Sequence, residues 1–465
     1  MNQLRQTVGV SFRDLELSVF KKLQEMFTRV LKEILEELDE LVLGTRDKGR
    51  YEVKDKRERT LQTLAGDVTF TRRYYLDKKK GTYVALLDQA LQLEKSDQMS
   101  PGLAMAAVMQ AVLGPSYRGA SESLSRLYGH QVASQETIRQ LLLRVGRQIE
   151  QEERQRRRQP EGKRKVPVLF IEADGLWASM QQEERQKREV KLMVAHEGWQ
   201  RKTPGSPEYE LMNKSHYFNI DQGDFWEGAS RQLLSGYDID EDTVVVINGD
   251  RADWIRRGVD YFPKALYQVD RYHLKRDLRR WLRGRDELEE ALDAVDDSDY
   301  NALIGVLATA RRKLEPQTRK KMNALLADLH RIPEAFMDYR VRLKEMGHSV
   351  GGMRGMGAAE SNVDRFSNRL KKRGQSWSTL GLKAMVHSLV KRFEGRLEHY
   401  AKHISKVHNL LNEEHLQRGA GQLVRQVLAD ATTVKQASSL MRGTTRSGGM
   451  SKLFRRLNEA RLPGS

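Results

Sequence analysis

Two aspartates stand where predicted β-strands end. VPVLFIEADG (166 to 175) and TVVVINGD (243 to 250) are rich in apolar and β-branched residues, as is typical of buried strands. The first run carries Asp174 at its end and the second ends on Asp250. Side chains at the carboxyl ends of strands in an α/β sheet emerge from a rigid frame into a crevice, where ligand sites form. Both aspartates are therefore candidates for a functional site.

Two alternatives remain open for these carboxylates. Each aspartate could simply cap the turn or helix that follows it, as aspartate commonly does. For Asp250 this alternative is weaker, because Asp253, three residues on, is itself well placed to start a helix. Glu172 lies two residues before Asp174 and thus on the same face of its strand, so it is a rival ligand.

The elements around these aspartates predict a mixed sheet. Three strands come first, then a helix, a strand, a helix and a strand, and this order favours an α/β domain with helices on the faces of its sheet. The predicted strands are 166 to 175, 188 to 199, 215 to 224, 243 to 250 and 265 to 270, and the first helix is 224 to 237.

The chain after this sheet is predicted to be helical. From Arg271 to about Glu345 the pattern is helical, with breaks at Pro316 and Pro333. A glycine-rich stretch, MGHSVGGMRGMGAAESN, then leads into a helix from about Glu360 to Arg373. A long helix, about 380 to 412, and a basic tail close the sequence.

The chain before the sheet contains three recognisable patterns. Residues 14 to 43 form an amphipathic helix whose wide apolar stripe fits packing within its own domain about as well as a dimer contact. Residues 62 to 77 alternate as a hairpin that carries Arg72 and Arg73. Residues 99 to 150 have the outline of a helix-turn-helix, and the charge run at 152 to 165 is typical of a linker that marks a domain boundary.

Composition favours a polyanionic partner. Lys and Arg number 81 against 64 Asp and Glu, which gives a net charge of +17, and the pI is near 9.7. Cysteine is absent, which excludes disulfides, thiol nucleophiles and Cys-ligated zinc. No apolar run approaches the ~20 residues that span a bilayer and the N-terminus lacks the apolar core of a signal peptide, so a cytoplasmic protein is expected.

Four motifs in order resemble one family. IEADG (171 to 175), INGDRADWI (247 to 255), VDRYHLKRDL (269 to 278) and AAESNVDRFSNRLKKRGQSWS (358 to 378) are similar to the bacterial insertion-sequence transposases of the ISLre type, and more distantly to the Mutator-like transposases. The stretches TFTRRYYLD and SYRGASESL extend the likeness over most of the chain.

This resemblance implies an α/β ribonuclease-H-like catalytic domain with an all-helical insertion, flanked by a mainly helical N-terminal DNA-binding region and a helical C-terminal region. It also implies that Asp174, Asp250 and Glu360 are the catalytic triad, with Asp270 and His273 in an auxiliary role. The expected divisions are 1–98 for the N-terminal helix and hairpin, 99–151 for the helix-turn-helix, 166–283 with 346–378 for the catalytic domain, 284–345 for the insertion, and 379–465 for the C-terminal region.

The chemistry of three carboxylates agrees with that expectation. Carboxylates brought together raise one another's pKa unless a cation neutralises them, and hard oxygen ligands select Mg²⁺ or Mn²⁺. Two such ions assist in-line attack on a phosphodiester. Seven further side chains are expected to contact DNA: Arg72 and Arg73 in the hairpin, and Arg365, Arg369, Lys372, Arg373 and Trp377 beside Glu360. For the group beside Glu360 the alternative is a solvated basic face, or core packing in the case of the tryptophan.

The expected protein is a DNA transposase that binds the terminal inverted repeats of an insertion sequence, cleaves the DNA and joins the freed ends to a target. Its partners would be double-stranded DNA and further copies of the chain, as a homodimer or higher homo-oligomer, in the nucleoid of a bacterial cytoplasm. Two other functions remain open: a catalytically inactive or domesticated DNA-binding relative, and a ribonuclease-H-like nuclease without strand transfer.

Overall fold

The computed structural model describes residues 11–95, 97–159, 161–181, 186–220 and 223–402, with the backbone alone at 358–363 and 401–402. The described chain forms two compact units. One contains residues up to Leu103 together with Tyr128–His130, and the other contains Ala104–Leu127 and the residues from Gln131 onward. None of the described helices is long and apolar enough to cross a membrane.

The first unit is a helix packed on a three-stranded antiparallel sheet. Its elements are α1 (Phe12–Thr45), β1 (Tyr51–Thr63), β2 (Gly66–Asp77), β3 (Thr82–Val84) and α2 (Leu86–Ala90), and the strand order is β1-β2-β3. The predicted helix and hairpin are both confirmed. Leu35 and Leu38 of α1 pack against Leu61, Val68 and Phe70 of the hairpin, so the carboxyl half of α1 is used within its own unit. Phe20 and Phe27, in the amino half, are exposed.

The second unit is built on a mixed five-stranded sheet. Its strands are β4 (Val168–Ser179), β5 (Lys187–His196), β8 (Ser215–Asn219), β9 (Val244–Gly249) and β10 (Ala265–Val269). Strands β6 (Trp199–Arg201) and β7 (Tyr209–Leu211) form a separate two-stranded sheet. The order across the sheet is β10-β9-β4-β5-β8. Strands β4, β9 and β10 are parallel, and β5 is antiparallel to both of its neighbours. The mixed sheet predicted from the element order is therefore confirmed.

Helices cover both faces of this sheet. Odd-numbered residues of β4 and β9, such as Ile171 and Ile247, pack with α6 (Phe225–Leu234) and with α7 (Asp253–Arg256). Even-numbered residues, such as Phe170 and Val246, pack instead with Tyr339 of α12 (Tyr339–Glu345). The alternation of β-strand side chains thus gives the sheet two separate cores.

A helical segment interrupts the chain between the last strand and the helix that carries Glu360. It follows α8 (Arg271–Trp281) and contains α9 (Glu287–Asp296), α10 (Tyr300–Ala310) and α11 (Pro316–Arg331), ahead of α12. Leu303, Leu307 and Leu325 belong to its own hydrophobic cluster. Two more long helices complete the described chain: α13 (Ala358–Leu370) and α14 (Thr379–Phe393), followed by the short α15 (Leu397–Lys402). The predicted helix from 380 to 412 in fact breaks at Gly395, whose φ is +70°, and its part beyond residue 402 lies outside the described residues.

The helices of the predicted helix-turn-helix belong to the unit that contains the mixed sheet. They are α4 (Tyr117–Tyr128) and α5 (Gln135–Arg158), after α3 (Pro101–Leu113). Ser134 accepts a hydrogen bond from Thr137 N and caps α5 as predicted. At the contact of α5 with α14, a Cβ on Gly146 would lie 2.5 Å from Ala384 Cα, so the close approach requires glycine.

The charge run predicted as a linker is helical for half its length. Helix α5 continues to Arg158, because Glu153 turns inward and pairs with buried Lys391 on α14. A carboxylate with a partner 238 residues away gives no signal in its local sequence. The sequence boundary at 151 is therefore not a break in the helix.

Candidate active site

Three aspartates occupy one row across the parallel strands. Ala173 of β4 pairs in register with Gly249 of β9, and Gly249 pairs with Val269 of β10. The next residues along these three strands are Asp174, Asp250 and Asp270. Because the strands are parallel and in register, all three carboxylates belong to the same edge of the sheet.

The position of Asp174 differs from the prediction in one respect. The residue does not end its strand, since β4 continues to Ser179 in antiparallel pairing with β5. Only its parallel pairing with β9 ends here, at Ala173. Gly175 lies within the strand, paired with Lys191 of β5, and a Cβ there would lie 2.6 Å from Glu189 Oε1.

Asp174 is held in a largely buried carboxylate environment. Its side chain is 14% exposed, and Oδ1 accepts a hydrogen bond of 2.7 Å from the Gly175 backbone N–H. The pKa of Asp174 is raised to about 6, chiefly by burial. His273 and the Gly175 N–H oppose this rise, and the charges of Asp250 and Asp270 add to it. This carboxylate is short of positive charge, which is the condition that a bound cation relieves.

Asp270 and His273 form a buried pair next to Asp174. Asp270 caps α8 by accepting from His273 N at 2.8 Å, and its Oδ1 lies 3.2 Å from His273 Nδ1. The other ring nitrogen, Nε2, lies 3.9 Å from Asp174 Oδ2. Burial alone would raise the pKa of Asp270, but its hydrogen bonds from His273 lower it. Burial likewise opposes the charged imidazole, yet the two aspartates raise the pKa of His273. The histidine is therefore oriented between two carboxylates.

Asp250 also serves as a local cap. Its Oδ1 accepts from Ala252 N at 2.9 Å, and its backbone carbonyl accepts from the Tyr267 hydroxyl at 2.7 Å. Asp250 therefore does cap the turn that follows it, as one of the two alternatives from sequence proposed. That hydrogen bond involves Oδ1 and not the second carboxylate oxygen, Oδ2. Asp253 is the first residue of α7 and pairs with Arg256, with its side chain 82% exposed.

A second row of polar residues lies behind the aspartates. Glu172, Asn248 and Gln268 precede the three aspartates by two residues and share their face of the sheet. Asn248 Nδ2 donates to Asp270 Oδ2 at 2.8 Å, and Gln268 Nε2 lies 3.4 Å from Asn248 Oδ1. Glu172, the rival ligand, is only 1% exposed, and its Oε2 accepts from Gly357 N at 3.0 Å.

Glu360 lies in the first turn of α13, and its side chain is outside the described residues. The start of that helix is located by the Gly357–Glu172 hydrogen bond, and α13 packs on β4. Among the side chains that the structure describes, no group of three His, Asp or Glu residues is arranged as a metal site. The donor chemistry nevertheless fits a hard divalent ion, because Asp174 and Asp250 offer carboxylate oxygens and Asp174 is short of positive charge.

The hairpin arginines are not placed for DNA contact. Arg72 is 5% exposed and pairs with Asp88 at 2.8 Å, while Arg73 is 7% exposed and pairs with Asp39 at 2.7 Å. Guanidinium groups buried against carboxylates of the same unit do not present their charge to a phosphate. The expected DNA contact of Arg72 and Arg73 therefore does not fit their placement.

The basic residues after Glu360 divide into two groups. Arg369 is 3% exposed, donates to Ala111 O at 3.0 Å and lies over the ring of Trp377, which is itself 5% exposed. Neither residue is available to DNA, and the packing alternative applies to Trp377. Arg365, Lys372 and Arg373 are exposed, although Lys372 pairs with Asp364 and Arg373 donates to Gly114 O.

Sequence reasoning missed Asn248 and Gln268 and gave Glu172 a different role. The signal that could have found them is a pattern of a polar residue, any residue and an aspartate, which recurs at all three parallel strands: Glu172-Ala-Asp174, Asn248-Gly-Asp250 and Gln268-Val-Asp270. Residues two apart share a strand face, so this pattern predicts two polar rows. The exposure of Trp177, which lies three residues beyond Asp174 and is 52% exposed, was not predicted from the sequence either.

A family model described as "Uncharacterised protein family (UPF0236)" matches residues 5–406. The chain belongs to the UPF0236 family. A UPF0236 protein of Caldanaerobacter subterraneus subsp. tengcongensis is 24% identical over 384 residues, which cover 81% of this chain and 77% of that protein. A UPF0236 protein of Streptococcus gallolyticus is 28% identical over 396 residues, covering 83% of this chain and 84% of that protein.

Among solved structures, a chain of the Drosophila P element transposase strand transfer complex aligns with 71% of this UPF0236 protein and 91% of its own length. The identity is 10% and the TM-score 0.23. Agreement at that level does not establish a shared fold.

Proposed function

We propose that this UPF0236 protein is a DDE-type DNA transposase with a ribonuclease-H-like catalytic domain, in which Asp174, Asp250 and Glu360 bind Mg²⁺ or Mn²⁺. The observation that carries the proposal is the row of Asp174, Asp250 and Asp270 at the carboxyl edge of three parallel strands. The sequence resemblance to ISLre-type transposases supplies the reaction class.

Two further observations support the catalytic assignment. The pKa of Asp174 is raised, chiefly by burial, in spite of its contacts with Gly175 N–H and His273, and strongly shifted pKa values cluster at functional sites. The mixed sheet, with three consecutive antiparallel strands followed by two helix-linked parallel strands, is consistent with the ribonuclease-H-like fold implied by the resemblance.

The chain's own groups would share the work as follows. Divalent ions, when bound, supply Lewis-acid stabilisation of the attacking and leaving oxygens. Asp174 and Asp250 approach from adjacent strands whose backbone is rigid. His273, oriented by Asp270, lies with Nε2 3.9 Å from Asp174 Oδ2, where its charged form attracts that carboxylate. The reaction is hydrolysis of a phosphodiester to free a 3′ end, followed by transesterification of that end into target DNA.

The DNA itself would be bound by the exposed cations of a strongly basic chain. The net charge of +17 provides the nonspecific attraction, and Arg365, Lys372 and Arg373 lie on or just after the helix that carries Glu360. We propose double-stranded element ends and target DNA as partners, with a homodimer or higher homo-oligomer joining two ends, in a bacterial nucleoid.

The deciding experiment incubates the protein with labelled element ends and Mg²⁺ and looks for cleaved and joined products. Asp250→Asn and Glu360→Gln should bind the DNA as wild type does but give neither product, since each loses a charged ligand. Asp253→Asn is the matched control, because that carboxylate is adjacent in sequence yet exposed and paired only with arginines. It should stay active.

Two outcomes would replace the proposal. Cleavage without joined products would indicate a ribonuclease-H-like nuclease. DNA binding without any cleavage, in wild type and variants alike, would indicate an inactive or domesticated DNA-binding relative.

A further inference from the structure

Glu172 is a buried carboxylate that the proposed reaction does not use. It lies in the middle of the sheet, between β5 and β9, and is 1% exposed. Moving an ionised carboxylate out of water is costly unless specific hydrogen bonds or charges compensate it, so its contacts should identify its role.

The contacts of Glu172 lead away from the aspartate row and toward α13. Its Oε2 accepts from Gly357 N at 3.0 Å, and Gly357 is the residue immediately before that helix. Its Oε1 lies 3.5 Å from Nε2 of His196, which is fully buried and stacked on Phe170. One oxygen thus meets the helix start while the other faces a histidine held within the sheet's own core.

The hydrogen bond between Glu172 and Gly357 links strand β4 to the start of the helix that carries Glu360. Glu360 is three residues further on, in the first turn of the same helix, while Asp174 is two residues beyond Glu172 on β4. A negative charge at the amino end of a 13-residue helix is also favoured by the helix dipole. The single side chain of Glu172 therefore joins the strand of one proposed ligand to the helix of another.

We propose that Glu172 is a positioning residue that fixes the first turn of α13, and with it Glu360, against β4. This inference rests on the proposed function for its catalytic meaning, but the anchoring contact itself does not. A ligand role, the alternative considered from sequence, would require Glu172 to face the metal with its charge, whereas a positioning role requires only an acceptor for Gly357 N.

The variants Glu172→Gln and Glu172→Ala separate these roles. Glutamine keeps an acceptor oxygen and nearly the same shape, whereas alanine removes it. Glu153→Ala is the matched control, because it removes another buried carboxylate from the same unit, one that pairs with Lys391 on α14 and has no contact with Gly357. Asp174→Asn reports the loss of a true ligand.

The first measurement is hydrogen exchange of the full-length protein, without metal or DNA, followed over peptides that contain residues 355 to 370. Glu172→Ala should speed exchange of these amides about 10-fold more than Glu153→Ala does, and Glu172→Gln should stay within about threefold of wild type. Equal exchange in Glu172→Ala and Glu153→Ala would overturn the anchoring role.

The second measurement is Mn²⁺ affinity, by titration calorimetry or electron paramagnetic resonance. Loss of a group that orients a ligand weakens metal binding about 10-fold or more, so Glu172→Ala should bind Mn²⁺ more weakly and Glu172→Gln should restore most of the affinity. If Glu172→Gln bound Mn²⁺ as poorly as Asp174→Asn, Glu172 would be a ligand and the positioning role would be overturned. If instead wild type and Asp174→Asn bound Mn²⁺ equally while the exchange result held, the proposed function would fail and the anchor would stand.

Discussion

Replacing Asp174 by asparagine should stabilise the folded protein while removing its proposed metal-dependent activity. Burial raises the pKa of Asp174 from 3.8 to about 6. A carboxyl whose pKa is higher in the folded than in the unfolded state lowers stability as pH rises from 3.8 to about 6, and the loss is complete above that range. At ~1.4 kcal/mol per pKa unit, the difference is on the order of 3 kcal/mol at neutral pH. Asparagine is neutral and nearly isosteric, so it avoids this loss.

The assay is thermal or urea unfolding of wild type and Asp174→Asn at pH 7.5 and at pH 4, with chelator present. At an unfolding entropy of ~2.1 cal/mol/K per residue, about 3 kcal/mol in this unit of roughly 300 residues corresponds to a rise in Tm of about 5 °C at pH 7.5. The gain should shrink toward pH 4, where wild-type Asp174 becomes protonated. Adding Mg²⁺ should raise the Tm of wild type, because a ligand that binds only the folded state stabilises it, and should leave the variant nearly unchanged.

Asp253→Asn is the control here too, since Asp253 is exposed and its pKa is lowered by Arg256, so no gain is expected. The reasoning is refuted if Asp174→Asn is less stable than wild type at pH 7.5 without metal, or if its advantage is as large at pH 4. Either result would mean that the fold itself stabilises the ionised carboxylate, so that no cation is needed to offset its charge.

Three further predictions test other parts of the chain. Arg73→Ala should cost about 3–5 kcal/mol of unfolding free energy in urea melts, because it leaves Asp39 buried without its ion pair, whereas Arg365→Ala should change stability little and weaken DNA binding. The logarithm of the DNA association constant should fall with the logarithm of salt concentration, with a slope of about −0.9 per neutralised phosphate; a slope near zero in fluorescence titrations would contradict an electrostatic interface. Although burial opposes the charge of Glu394, hydrogen bonds from His216 and Lys391 lower its pKa to about 2, so it contributes stability above pH 4.5 that is lost as pH falls toward 2. Glu394→Gln should therefore lower stability by on the order of 3 kcal/mol at pH 7, and melts at pH 3 should show a much smaller difference.

The sheet could be predicted from sequence because its evidence is local. Strands β4, β9 and β10 are rich in apolar and β-branched residues, as expected when both faces are buried, and turn residues separate them. The alternation of side chains then fixes which residues share a face. Alternation within a strand does not predict the register between strands, which places Asp174, Asp250 and Asp270 in one row.

The errors share a different cause, which is pairing over long sequence distances. Arg72 and Arg73 resembled a basic DNA-contacting surface because their partners, Asp88 and Asp39, lie 16 and 34 residues away. A run of charges is interpreted as solvated when nothing nearby neutralises it, yet burial depends on neighbours in space. Strand β4 likewise continues past Gly175 because it pairs with β5 as far as Ser179, and the sequence of β4 alone does not show that partner.

The second row of polar residues, Glu172, Asn248 and Gln268, connects the sheet to the helices around the aspartates. Each of its three residues forms a hydrogen bond at the start of a different helix. Asn248 donates to Asp270, the cap of α8, and Gln268 accepts from Tyr339 N at 2.7 Å, at the start of α12. Glu172 accepts from Gly357 N, just before α13. Three helix amino ends are thereby docked on the face that carries the aspartates. Since a helix amino end carries partial positive charge, the arrangement offsets part of the carboxylate repulsion without placing a lysine or arginine among the aspartates. The pKa of Asp174 remains raised to about 6 in spite of it, a shift that the proposed divalent cation would oppose.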